Sequence, residues 1–99
     1  MAFHGDKQGV SGTIVQLTND EDLTGAIRVA NNGSDDIFLQ ATADGTAPAN
    51  TSAAWAGSIK LGPRDVFVGE LATYFPGVAS AARVWGRFDN GGTASVSYA

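Results

Sequence analysis

There is no cysteine among the 99 residues, so the chain has no disulfide framework and no thiolate for catalysis or zinc binding. Histidine is nearly as scarce, with His4 the single imidazole. Charge is sparse as well: six Lys and Arg against ten Asp and Glu make up 16% of the chain and leave a net charge of −4. No segment gathers its cations away from carboxylates, which argues against nucleic acid as a partner. Long apolar runs are missing too, and none approaches the roughly 20 residues that a membrane-spanning helix needs. The opening stretch "MAFHGDKQGVSG" lacks the charged start, apolar segment and small-residue cleavage site of a secretory signal. Synthesis in a cytoplasm, without signal-directed export, is the expectation.

What remains is an apolar, glycine-rich chain of about one domain's length. Hydrophobic residues reach 43%, too many for intrinsic disorder, and the low charge predicts that part of the surface is covered by something. Residues 1–12 are Gly-rich and polar apart from Met1, Phe3 and Val10, and they read as a flexible N-terminal arm ahead of a single domain over 13–99. Period-two alternation then begins. "TIVQLT" (13–18) and "GAIRVA" (25–30), separated by the acidic turn "NDED", read as a first strand pair. "NNGSDD" (31–36) is turn chemistry leading into "IFLQATA", where Ile37, Leu39 and Ala41 share a face.

The stretch 44–54, "DGTAPANTSAA", has no periodicity and reads as a long loop, of the kind that is functional or mobile. Two short strands near 57–61 and 65–70 flank a turn over Gly62, Pro63, Arg64 and Asp65. "ATYFPG" supports one helical turn that Pro76 and Gly77 stop, with Tyr74 and Phe75 plugging an end of the core. The closing stretch "RVWGRFDNGGTASVSYA" reads as a hairpin around "DNGG". Its first strand turns Ala82, Val84, Gly86 and Phe88 one way and Arg83, Trp85 and Arg87 the other; its second turns Ala94, Val96 and Tyr98 inward. Six to eight short strands with regular turns predict an all-β, antiparallel sandwich or small barrel.

Catalytic constellations are thin. His4 lies in the arm, where a surface role is the favoured reading, and no nucleophile-elbow motif presents a serine to it. Asp20, Asp22, Thr24 and Gly25 match the start of a calcium loop, but its twelfth position is Asn31 in place of a bidentate Glu, which favours a solvated turn. Asp35 and Asp36 could add ligands to such a loop but serve equally well as charges that keep a loop in water, and no pair of acids has a recognisable glycosidase context. The Asn32 and Asn50 glycosylation patterns lack a secretion signal to make them meaningful. No enzymatic activity, cofactor or metal is expected. Trp85 between two arginines is the sharpest surface feature, since Trp and Arg are enriched at binding hot spots.

Three stretches, "VANNGSDDIFLQAT", "GSIKLGPRDVF" and "AARVWGRFDNGGTASVSYA", carry a resemblance to small β-sandwich virion proteins of tailed bacteriophages. The shared pattern is an N-x-G turn before an (I/V)-(F/Y) strand, an L-x-P-G-(D/E) turn, and a (V/L)-(W/Y)-(A/G) strand with a Gly-rich alternating ending. Arg64 stands where that turn usually has Gly, and the ending is Val-Ser-Tyr rather than Val-x-Val. The chain is most similar to head decoration, or cement, proteins. The resemblance implies a place on the outer surface of the capsid, with the major capsid protein as partner and self-association at a symmetry axis as an option. On that reading the contact residues are Phe3 and His4 from the arm, Arg83, Trp85 and Arg87, and Tyr98. An exposed edge strand at 93–98 would then add to a neighbour's sheet. A neck, tail or receptor-binding component of the same particle is the nearest alternative. A carbohydrate-binding module with Trp55, Tyr74 or Trp85 as stacking platform is a further one.

Overall fold

Two four-stranded antiparallel sheets make up the computed structural model, which describes residues 3–19, 21–23 and 25–99. The strands are β1 (Phe3–Gly9), β2 (Thr13–Gln16), β3 (Ile27–Asn31), β4 (Ile37–Thr42), β5 (Ile59–Leu61), β6 (Val66–Gly69), β7 (Arg83–Phe88) and β8 (Gly92–Tyr98), with one helical turn α1 (Leu71–Tyr74). The first sheet has the order β1-β8-β3-β6 and the second β2-β7-β4-β5. The chain is therefore the small β-sandwich that the alternation predicts.

The core lies between the sheets and is filled by the inward-facing residue of every strand. Ile27, Val29, Val96 and Phe67 come from the first sheet; Ile37, Leu39, Val84 and Phe88 come from the second, with Leu17 just beyond β2. α1 lowers Leu71 and Phe75 into one end of this layer. Tyr74 stays half-exposed, its ring edge-on to Phe67 with centroids 4.8 Å apart, so only Phe75 acts as the expected plug.

Two buried polar groups fasten the sheets together. Asn31, fully buried at the end of β3, donates from Nδ2 to the Asp35 carbonyl (2.8 Å) and to the Leu61 carbonyl of β5 (2.9 Å), and its Oδ1 accepts from the Gly33 amide (2.9 Å). At the opposite end, the Tyr98 hydroxyl of β8 donates to the Thr18 carbonyl (2.7 Å) and accepts from Asn19 Nδ2 (3.1 Å). Asn19 in turn accepts from Lys7 Nζ of β1. Each clamp joins one sheet to the other, so the ends of the sandwich cannot slide apart without leaving buried polar atoms unpaired.

Four sequence expectations are corrected. Residues 3–9 of the proposed arm form β1, paired with β8 from Phe3 opposite Tyr98 to Gly9 opposite Gly92; Met1 and Ala2 lie outside the described residues. The inward positions of β1 include Gly5 and Gly9 because aromatic rings occupy the space a side chain would need: a Cβ on Gly9 would sit 2.1 Å from Phe88 Cγ. Second, the closing stretch is no hairpin. β7 lies between β2 and β4, β8 lies between β1 and β3, and the turn carries the chain from one sheet to the other. Third, β8 is consequently an interior strand with no free edge at 93–98. Fourth, β2 and β3 belong to different sheets and do not pair.

Candidate functional site

The outer face of the second sheet is closed by the chain's own loop. Residues 43–58 leave β4, cross the sheet and return to β5. Gln40 Nε2 of β4 donates to the Ala54 carbonyl (3.3 Å), and Asn50 Nδ2 reaches the Gly12 carbonyl beside β2 (3.0 Å). The loop is thus pinned on both sides of β7. Beneath it lies Trp85, flanked in register by Gln16 and Gln40, with Nε1 donating to Thr42 Oγ1 (2.7 Å). Trp85 is only 7% exposed, which overturns the expectation of an outward contact residue: alternation turns it off the core, and the loop then covers it. Trp55 is buried within the same cover, its Nε1 donating to the Ala49 carbonyl (3.0 Å).

The two arginines beside Trp85 are held by acids. Arg83 Nε lies 2.9 Å from Asp22 Oδ1, and Arg87 Nε lies 2.8 Å from Asp89 Oδ1. Phe3 and Tyr98 stack with centroids 5.8 Å apart on the core side of the first sheet. His4 stands exposed on that sheet's outer side. The six residues expected as one contact patch therefore fall on three different surfaces and do not converge.

The calcium-loop spacing does not assemble a site among the described residues either. Asp22 is engaged with Arg83 and Asn31 is locked in its clamp, while Asp20 and Thr24 lie outside the described residues. No three His, Asp or Glu side chains gather among the described residues in a way that would hold a metal ion. Asp36 pairs with Lys60 at 3.6 Å, as a solvated loop charge does.

What sequence reading missed is the outer face of the first sheet. Register aligns His4, Ser97, Arg28 and Val68 in one row across four strands, and Asp6, Ser95, Ala30 and Val66 in the next. Ser95, Ser97 and Ala30 keep the middle low except where Arg28 rises from β3; His4 and Asp6 mark the β1 side and Val66 and Val68 the β6 side. Ser95 Oγ donates to Asp6 Oδ1 (2.7 Å) and accepts from Asn32 Nδ2, which orders the middle of the face. Among the described residues, no loop lies over it. The signal was present in the alternating His4, Asp6 and Gln8, but an apolar-periodicity search passes over a strand whose inward positions are half glycine.

Among the described residues, Tyr98 is a titratable group with a shifted pKa. Burial raises the Tyr98 pKa above its ordinary value; the Asn19 hydrogen bond pulls it down and the negative charge of Glu21 pushes it up. The folded state thus resists forming the phenolate. The stabilisation is complete below the unfolded pKa of about 10 and is lost as pH rises beyond it. Tyr98→Phe is expected to cost about 1–2 kcal/mol at neutral pH, because the Asn19 amide loses its acceptor. The variant should also flatten the fall in stability above about pH 10, so the two proteins' chemical-denaturation midpoints converge there.

Comparison with protein-family models, with curated proteins and with solved structures finds no match to the chain.

Proposed function

We propose that this chain is a structural virion protein of a tailed bacteriophage, one that binds the outside of the capsid and ties neighbouring major capsid subunits together. The observation that supports this reading is the asymmetry of the sandwich. One outer face is sealed by the molecule's own loop, and the other is a four-stranded surface left open, with His4 and Asp6 at one margin, Val66 and Val68 at the other, and Arg28 standing among small side chains between them. The small side chains let another surface approach closely, and Arg28 and the margins supply the polar and apolar anchors.

Because β1 is already paired in the sheet, docking orders no arm and proceeds as a nearly rigid contact. Each copy then contributes a modest affinity, and many copies across subunit junctions sum to a stabilised shell. The same face would serve a neck or tail component, which differs in copy number rather than chemistry. The carbohydrate-module alternative loses its two tryptophan platforms, since Trp55 and Trp85 are both covered.

The test is co-sedimentation of the purified protein with phage heads and, separately, with tails, with copies per particle counted from stained gels. Hundreds of copies on heads are expected, and Ser97→Arg, which places a long charged side chain in the middle of the open face, should abolish binding without changing the unfolding temperature. A few copies on tails would move the protein to the neck or tail, and binding to neither would refute the virion role.

A further inference from the structure

We infer that β6 is a self-association edge, and that two copies of this chain pair through it, antiparallel about a two-fold axis at Phe67, to make one continuous eight-stranded sheet. This inference does not rest on the capsid reading, because it concerns the protein alone in solution.

Four observations meet at this edge. β6 is a terminal strand of its sheet, so its outer side has no neighbour. Asn31 exchanges main-chain bonds with the Arg64 amide (2.9 Å) and the Asp65 carbonyl (2.9 Å), and the antiparallel alternation then gives the next bonded pairs to Val29 with Phe67 and Ile27 with Gly69. The amides and carbonyls of Val66 and Val68 therefore point away from β3 toward open solvent. These are also the side chains that break the surface pattern: of the four exposed large apolar residues among the described residues, Val66 (56%), Val68 (57%) and Tyr74 (48%) all border this edge, and Val10 lies elsewhere.

Edge strands in soluble proteins are normally guarded by charge, proline or extreme shortness. β1 has His4, Asp6 and Lys7; β5 is three residues long and includes Lys60. β6, with the sequence VFVG, has neither charge nor proline within it; β2 (TIVQ) lacks them too, but its side chains are half-buried whereas Val66 and Val68 are exposed. Arg64 and Asp65 stand at one end and Glu70 at the other; the Asp65 carboxylate is turned back to accept from the Gly62 amide (2.8 Å), which leaves Arg64 and Glu70 as the opposite charges beyond the strand ends.

That last feature sets the register. Placing the two-fold at Phe67 puts Val66 opposite the partner's Val68, and each such pair can exchange two main-chain bonds, about four in all. The same register puts Arg64 opposite the partner's Glu70, twice by symmetry. Both side chains are exposed, and neither takes part in an ion pair seen among the described residues. Glu70 continues the extended backbone (φ −91°, ψ 143°), so it shares the outer face with Val66 and Val68. Arg64 holds a left-handed backbone (φ 67°) at the third position of the turn, where glycine is the unstrained residue. An arginine kept there at a conformational cost gains a partner in the dimer.

The experiment is sedimentation equilibrium of the full chain from about 10 μM to about 1 mM, the range in which a short strand pair is expected to associate. A reversible monomer–dimer equilibrium is expected. Val68→Lys and Arg64→Glu should each weaken it by about tenfold or more, the second because both ion pairs become repulsive. The double variant R64E with E70R should restore it. Far-UV circular dichroism and unfolding temperature confirm that each variant folds. A protein that stays monomeric throughout overturns the inference, as does a dimer indifferent to Arg64→Glu or one that the double variant fails to recover.

Discussion

Asn31→Ala should lower stability by about 2–4 kcal/mol, because three main-chain groups, one buried and two part-buried, lose their partner at once. The Gly33 amide and the Asp35 and Leu61 carbonyls are all oriented toward a side chain that alanine does not replace. The methyl also leaves a void with polar walls, which water can fill only in part. The carbonyl of Leu61 belongs to β5 and Asn31 to β3, so the loss falls on the junction between the two sheets. Chemical denaturation measures the effect, and Asn32→Ala is the control. Asn32 is exposed and, among the described residues, its side chain bonds to Ser95 Oγ alone, so its removal should cost well under 1 kcal/mol. Equal effects at the two positions would show that the clamp contributes nothing special.

Trp85→Ala is expected to cost about 3–5 kcal/mol, the range for truncating a large buried aromatic. Its second effect is local. Without the indole the loop 43–58 keeps its two side-chain tethers but loses the surface on which it rests, so a protease of broad specificity should cut within it faster than in the parent. A contact residue would behave differently: its truncation would leave stability and proteolysis unchanged and remove only partner binding. That contrast separates a covered tryptophan from a recognition hot spot in one variant.

Much of this architecture was legible in the chain. Alternation located β3, β4, β7 and β8 nearly to the residue, and turn chemistry placed the breaks at 31–36, 62–65 and 89–91. Pairing was not legible, for a physical reason. In a sandwich, two consecutive strands that face each other across the core show the same inward apolar residues as two strands lying side by side. The turn after Phe88 offers positive-φ glycines, Gly91 at 78° and Gly92 at 149°, in either case. β1 was hidden because Gly5 and Gly9 stand where apolar side chains would advertise an inward face, their space filled by the rings of Phe3 and Phe88. Asn31 looked like turn chemistry, and only its neighbours in space turn it into a clamp. Trp85 was placed correctly on the outer side of β7, but no periodicity reports that a loop 30 to 40 residues earlier will fold back over it.

The alternation of consecutive strands between sheets has a kinetic consequence. Among neighbours in the chain only β4 and β5 pair with each other, so almost no part of the fold can be completed locally. Chains dominated by such distant pairings fold in milliseconds to seconds rather than microseconds. β8 lies far along the chain from both strands that flank it, β1 and β3. Until residues 92–98 have left the ribosome, two strands made long before wait with unsatisfied edges. Assembly of that sheet therefore waits on one late element, and the interval before it is when a nascent copy is most open to aggregation or chaperone capture.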